Sequence, residues 1–191
     1  FDQEIEDFQT NTFVGTGFVL ANAGSQSSDG YEFDLVMSPT ESIDLSISGL
    51  FMDPIYDSYV GAAAGDLSGT VPSNIPEDTI SSTITWNFDM NGWDSYLRIS
   101  HLYSSEAFLL ENPAHQALLE AQGNGFRKQD TLNFTAGFEK DNLSISLWGK
   151  NINDDEYLTS AFIAVADLSE TTFFGYPNNY ATYGMTLNYT F

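Results

Sequence analysis

Tyr31-Glu32-Phe33-Asp34-Leu35-Val36-Met37-Ser38-Pro39-Thr40-Glu41-Ser42-Ile43-Asp44-Leu45-Ser46-Ile47-Ser48-Gly49-Leu50-Phe51 is the stretch that decides the fold. Apolar side chains fall on every second position on both sides of a Pro-containing turn, which is the period of a strand and not of a helix. Tyr31, Phe33, Leu35, Met37, Ile43, Leu45, Ile47 and Phe51 share one parity, and Glu32, Asp34, Asp44, Ser46 and Ser48 share the other. Two such runs joined by a short turn form an antiparallel hairpin. The same grammar recurs at Ile80 to Phe88, Trp93 to Tyr103, Leu132 to Phe138, Leu143 to Gly149 and Tyr183 to Phe191. A weaker strand lies in Phe1 to Phe13, where the alternation slips between Ile5 and Phe8 and predicts a bulge. The chain reads as all-β, with about eight strands in one domain spanning 1–191.

The connections alternate in length. Ser38 to Ser42, Asp89 to Gly92 and Glu139 to Asn142 are tight turns, rich in Pro, Gly and Asn. Val14 to Asp29, Asp57 to Asp78, Ser104 to Asp130 and Asn153 to Thr182 are long connections. Short, long, short, long puts every tight turn at one end of the strands and every long loop at the other. Ala114 to Ala121 carries the pattern of a short helix within a loop.

Sorting by parity separates charge from apolar surface. No Asp, Glu, Lys or Arg occupies the apolar parity of the seven clear strands, where the average composition predicts roughly five or six. Such a face is either the core of a soluble sheet or a surface turned to lipid. Runs of about nine to eleven residues match a tilted membrane-crossing strand, whereas soluble strands average about five or six. Tyr31, Phe51, Trp86, Phe88, Trp93, Tyr103 and Phe138 gather near strand ends, as lipid-interface girdles require. The expectation is an antiparallel transmembrane β-barrel segment. Turns on one side and long loops on the other match the periplasmic and extracellular ends of outer-membrane barrels. Two other readings stay open: a self-contained eight-stranded outer-membrane barrel with a structural or adhesive role, and a soluble acidic β-sandwich that binds carbohydrate.

Composition narrows the function. The chain has 191 residues, 5 Lys+Arg against 27 Asp+Glu, a net charge of -22 and no cysteine. So acidic a surface is repelled by phosphate backbones, which argues against a nucleic-acid partner. Without cysteine there are no disulfides, thiolate nucleophiles or thiolate metal sites. No run approaches the roughly eighteen apolar residues of a membrane helix. The start at Phe1, with no charged-then-apolar leader, reads as a mature protein or a piece of a longer one.

Specific motifs carry a resemblance. Tyr183-Gly184-Met185-Thr186-Leu187-Asn188-Tyr189-Thr190-Phe191 ends on an aromatic, with apolar residues at Tyr183, Met185, Leu187 and Tyr189. It looks like the C-terminal signal read by the barrel assembly machinery. With Asp7-Phe8-Gln9, Asn22-Ala23-Gly24 before Gly30-Tyr31-Glu32, Asn151-Ile152-Asn153-Asp154-Asp155-Glu156-Tyr157 and the segment from Pro177, the chain resembles the C-terminal third of a TonB-dependent outer-membrane receptor. Members often show Pro-Arg before the closing Tyr-Gly. Here Asn178 follows Pro177, so no role is carried over from that arginine. The resemblance implies a fragment of a twenty-two-stranded barrel without its plug domain, in the outer membrane of a Gram-negative bacterium. It also implies uptake of a scarce nutrient such as a ferric siderophore, cobalamin or an oligosaccharide. TonB would be engaged only through N-terminal regions outside this chain, and the partners of the chain itself would be outer-membrane lipid and the assembly machinery.

Candidate contact residues lie in the last long connection, where Tyr157, Phe162, Phe173, Phe174, Tyr176 and Tyr180 cluster in sequence. They are read as ligand or plug contacts, against the alternative that they pack on one another. Catalytic residues, cofactors and metals are not expected. His101 falls on the apolar parity as a half-buried ring. His115 with Glu111 and Glu120 lacks metal-ligand spacing. Asp154-Asp155-Glu156 lacks the register of a calcium loop, and Gly15-Thr16-Gly17 lacks the third glycine of a nucleotide loop.

Overall fold

The computed structural model describes residues 1–13, 18–62, 64–164, 169 and 171–191. Its strands are β1 (Asp2–Phe13), β2 (Phe18–Thr40), β3 (Ile43–Ser58), β4 (Asp78–Asp89), β5 (Asp94–Phe108), β6 (Phe126–Lys140), β7 (Leu143–Lys150), β8 (Leu158–Ile163), β9 (Phe173–Pro177) and β10 (Thr182–Tyr189). One helix, α1 (Pro113–Ala121), sits between β5 and β6. Eight strands form one antiparallel sheet in the order β1-β2-β3-β4-β5-β6-β7-β10, and β8 and β9 form a separate two-stranded hairpin. β1 and β10 stand at opposite edges of the sheet and no ladder joins them among the described residues.

Register tests the parity argument directly, because a slip of one residue sends a strand's side chains to the other face. Met37, Leu45, Ile84, Ile99, Phe134, Gly149 and Tyr183 are successive partners across seven strands. The row toward the turns runs Ile43, Trp86, Leu97, Ala136, Leu147 and Met185. Between them runs a polar row of the opposite parity, Asp44, Thr85, Arg98, Thr135, Trp148 and Gly184. One face is therefore continuously apolar and the other hydroxyl- and amide-rich. On the polar face Arg98 Nε donates to Thr85 Oγ1 (3.1 Å) and Trp148 Nε1 donates to Thr186 Oγ1 (3.2 Å).

Among the described residues nothing covers the apolar face: Ile84 is 43 % exposed, Ile99 40 % and Met185 66 %. A soluble sheet buries such a face under a second layer. Here the buried apolar side chains, Tyr56, Tyr59, Leu67, Ala107, Leu109, Leu119 and Ala164, lie at the long-loop end instead. Gly49 sits in the apolar face where the Phe33 and Phe51 rings stack with centroids 6.3 Å apart, and a Cβ there would come within 2.5 Å of Phe33.

The tight turns behave as their residues demand. Asn91 and Gly92 take φ of 56° and 77°, and the Gly92 N–H donates to Asp89 Oδ1 at 3.1 Å. Asp141 takes φ of 53° between β6 and β7. The slip in β1 is a register shift between Ile5 and Phe8, with Asp7 at φ 54°.

Two readings of the connections are corrected. Phe18 to Asp29 is not loop: it is the outer half of a 23-residue β2, paired on one side with β1 and, from Ser25, on the other with β3. Its run of Ser, Asn, Gly and Gln lacks alternation, so hydrophobic period does not reveal it. The connection from Asn153 to Thr182 contains the β8–β9 hairpin. The motif Gly15-Thr16-Gly17 lies outside the described residues.

Candidate binding face at the long-loop end

The β3–β4 and β5–β6 connections meet strand β1 above β3 and β5. Phe8 of β1 stacks on Tyr56 (centroids 5.4 Å, interplanar 11°) and meets Tyr59 edge-on at 5.4 Å. Tyr56, Tyr59 and Leu67 form a buried cluster with Phe8 and Ala62 against it. Both tyrosine hydroxyls point at one carboxylate in the β5–β6 connection: Tyr56 donates to Glu111 Oε1 at 2.7 Å and Tyr59 to Oε2 at 3.3 Å. Burial, and then the Glu111 carboxylate, pushes the Tyr56 hydroxyl well above the ordinary tyrosine range. Burial also raises Tyr59.

Helix α1 is held by its own side chains. Asn112 caps it by accepting from the N–H of Ala114 at 2.9 Å, and proline opens it, as helix starts favour. Gln116, 5 % exposed, accepts from the N–H groups of Leu109 and Leu110 at 3.2 and 3.0 Å and donates to Glu120 and to the Gly125 carbonyl.

The segment Asn151 to Tyr157 continues a sheet edge where β7 stops. The Ile152 N–H donates to the Leu132 carbonyl (2.8 Å), Asn153 Oδ1 accepts from the Leu132 N–H (2.9 Å) and Asn153 Nδ2 donates to the Asp130 carbonyl. The Asp130 N–H donates to Asp155 Oδ2 at 2.7 Å. Side chains thus supply the partners that strand β7 would have supplied to β6. Asn151, 4 % exposed at φ 50°, donates from Nδ2 to the carbonyls of Asp155 and Asn179 and accepts from the Asp155 N–H, each at 2.9 Å. Ala181 N–H donates to Asp154 Oδ1 (3.0 Å) and Tyr157 N–H to Asn178 Oδ1 (3.1 Å).

That network presents the β8–β9 hairpin and divides the six loop aromatics. Phe162 pairs with Phe174 across the hairpin, and Tyr176 lies on the same face two residues on. Phe162 lies 5.4 Å from the Phe174 ring and 5.9 Å from Tyr176, and all three rings are exposed. Phe173, opposite Ile163, belongs to the other face. Tyr157 is half-buried at the base, its hydroxyl raised by burial and by Asp155, and Tyr180 stands exposed.

The strand aromatics occupy two levels of the apolar face. Tyr31 and Phe51 stack at 4.9 Å toward the loops, where Tyr103 also lies. Trp86 and Phe88 (4.6 Å), Phe138 and Trp93 lie toward the turns. Tyr183, Met185, Leu187 and Tyr189 share the apolar face of β10, and Phe191 meets Tyr189 edge-on at 5.1 Å.

His101 Nε2 contacts Asp130 Oδ1 at 2.6 Å, a surface pair. Glu111 serves the tyrosines and Glu120 serves Gln116, so the two carboxylates do not converge with His115. Among the described residues no three His, Asp or Glu side chains gather to hold a metal.

The family model "TonB dependent receptor-like, beta-barrel" matches residues 1–152. The chain belongs to this family. Three solved receptor structures share its fold. The ferric yersiniabactin uptake receptor FyuA from Yersinia pestis matches with TM-score 0.75 and 16 % identity, over 100 % of this chain and 26 % of that one. The ferric-catecholate import receptor Fiu from K12 E. coli matches with TM-score 0.66 and 16 % identity, over 100 % and 24 %. The siderophore receptor PiuA from Acinetobacter baumannii matches with TM-score 0.66 and 14 % identity, over 97 % and 25 %. This TonB-dependent receptor barrel chain therefore spans about a quarter of the length of those proteins. At such identities the likeness is one of fold. A comparison with curated proteins returns no match. The family is one of outer-membrane transport receptors of Gram-negative bacteria rather than of enzymes.

Proposed function

We propose that residues 1–191 form the C-terminal barrel wall and long-loop rim of an outer-membrane receptor that takes up a scarce nutrient with energy relayed through TonB. The observation that carries this reading is the uncovered apolar face, seven strands wide in unbroken register, backed by a polar face and joined to a family of such barrels. In lipid that face is solvated and needs no second layer. The unjoined edges β1 and β10 favour a share in a larger barrel over an eight-stranded closed one, since open edges are not viable in a bilayer.

In this reading Tyr31, Phe51, Trp86, Phe88, Trp93, Tyr103 and Phe138 anchor the wall at the two lipid interfaces. Tyr183 to Phe191 present the terminal signal to the assembly machinery. Rim loops held by the Glu111 and Asn151 networks display Phe162, Phe174 and Tyr176 to a nutrient, with Tyr157, Phe173 and Tyr180 supporting them. TonB is engaged through other regions of the receptor, and the nutrient is a ferric siderophore, cobalamin or an oligosaccharide. The test is deletion of 158–177 in a Gram-negative host that makes the protein from its own reading frame. Uptake of labelled ferric siderophore, cobalamin and maltooligosaccharide is then compared with and without TonB. Loss of TonB-dependent uptake of one of them, with the barrel still in the outer membrane, is expected. Uptake unchanged by the deletion removes the hairpin's role, and protein found free of membrane refutes the wall.

A further inference from the structure

Strand β6 outruns its neighbour β7. It extends from Phe126 to Lys140, while the ladder between them covers only Phe134 to Lys140 of β6, because Asn151, at φ 50°, turns the chain away just past the end of β7. In an antiparallel strand the N–H and C=O of one residue point to one neighbour and those of the next residue to the other. Leu132 and Asp130 turn theirs to the β7 side, where Ile152, Asn153 and Asp155 meet them. The bulge between Ser104 and Ala107 adds its extra residue to β5 and leaves the phase of β6 unbroken. By the same alternation Lys128 and Phe126 present their N–H and C=O groups to the β7 side, and no strand or side chain bonds to them there among the described residues. Two donors and two acceptors are thus left for one side of a strand.

A cleft of about 530 Å³ lies beside this edge. Asp155 to Leu158 form its far wall, and Gly123 to Gly125 line it next to Phe126. Five carboxylates, of Glu106, Glu120, Asp130, Asp155 and Glu156, border the cleft with one cation, Lys128, whose Nζ lies 3.7 Å from Glu106 Oε1. Arg127, at the same end of the wall, has the opposite parity and does not line it. Unpaired strand backbone is a template for another strand. In such pairing main-chain hydrogen bonds supply affinity and the flanking charges choose the partner.

We propose that an extended peptide segment of another protein, with Lys or Arg among its side chains, adds as a strand to β6 along Phe126 to Lys128. Both strands that border this gap lie within the chain, so the wall carries it whatever nutrient passes through.

The experiment measures binding of a fluorescent peptide of about ten residues, alternating Lys and Thr, to the full receptor made from its own reading frame and purified in neutral detergent micelles. Two twins are compared with it: one N-methylated throughout, which keeps the charge and removes every backbone donor, and one with Glu in place of Lys. Heat-modified gel migration is the control for folding. The Lys peptide is expected to bind about tenfold more tightly than its methylated twin at low and at high salt. Its lead over the Glu peptide should narrow as salt screens the cleft. K128P removes a donor on the open side while sparing the β5 ladder, and should bring the Lys peptide down to the level of the methylated twin. K128A, which changes only the side chain, should keep the preference, and E156Q should weaken the Lys peptide several-fold at low salt alone. Equal binding of the Lys peptide and its methylated twin, no measurable binding of the Lys peptide, tighter binding of the Glu peptide, or unaltered binding to folded K128P protein each overturns the proposal. If K128P does not migrate as folded, the comparison of the twins on the unaltered protein decides.

Discussion

Replacing Asn151 should detach the β7–β10 connection while leaving the wall intact, and the structure fixes how much each variant loses. Its carboxamide makes three hydrogen bonds of 2.9 Å, to the carbonyls of Asp155 and Asn179 and from the N–H of Asp155. At about 0.5–1.5 kcal/mol net each, their loss from a site only 4 % exposed costs about 2–4 kcal/mol. Its backbone lies at φ 50°, where asparagine is tolerated and alanine costs about 1 kcal/mol more. Asn151→Ala should therefore cost about 3–5 kcal/mol, and Asn151→Gly about 1 kcal/mol less. Asn151→Asp keeps the acceptor and the backbone preference but sets a buried carboxylate oxygen against the carbonyls of Asp155 and Asn179, so it should cost at least as much as Asn151→Ala. The readout is brief proteolysis of the protein in detergent micelles, with cut sites mapped by mass spectrometry. Opening by 3 kcal/mol raises cleavage within 152–181 roughly a hundredfold when reclosing is fast. Less than about a tenfold rise for Asn151→Ala, or equal loss in the Ala and Gly variants, would refute respectively the network and the backbone argument.

Three further outcomes follow from the geometry. Ile99→Lys should destabilise the membrane-inserted barrel by about 2–4 kcal/mol in urea titrations, while Ser100→Lys, on the polar face, costs under about 1 kcal/mol; equal effects would contradict the assignment of faces. Gly137→Ala drives a Cβ into the Tyr96 ring and must push it from beneath Arg98, whose Cζ lies 5.3 Å from the ring centre, costing about 1–3 kcal/mol in the same titration. Tyr56 holds its proton more tightly folded than unfolded, so the stability it lends is complete below its ordinary value of 10.0 and fades as pH rises past it. Cleavage within 59–77 and 109–125 should consequently increase above that pH, and Tyr56→Phe should flatten the dependence; an unchanged profile in the variant counts against the linkage.

The part of the sheet with the apolar face was legible because backbone geometry and solvent impose the same period of two. Between Tyr31 and Phe51 one face must be apolar, so parity alone sets the register. Beyond that band the demand lapses, which is why Phe18 to Asp29 reads as loop although it ladders with β1 and, from Ser25, with β3. The helix was legible within one residue, 114–121 read against Pro113–Ala121 found, and the structure adds the Asn112 cap and the Pro113 start. The loop core was not, since Tyr56 and Tyr59 meet Glu111 across separations of 55 and 52 residues with no local pattern. The Asn151 to Tyr157 motif was visible only as a likeness. Its physical content, side chains standing in for a strand, depends on where β7 ends.

Every neighbour in the eight-stranded sheet is also a neighbour in sequence except the last pair, β7 and β10. The first seven strands can zip as successive local hairpins, each adding to a template already formed. The eighth must wait until the chain has travelled through the whole hairpin-bearing excursion and returned. Loop-closure entropy grows only slowly with length, so the equilibrium cost of that detour is small, but its kinetic cost is the search for register. By tying Asp155 and Asn179 together, Asn151 brings the two ends of the excursion to one point. It shortens the effective loop from about thirty residues to a few. A side chain that holds a loop is then also a timing device, setting how soon the final strand docks and how long the edge of β7 stays open to a wrong partner.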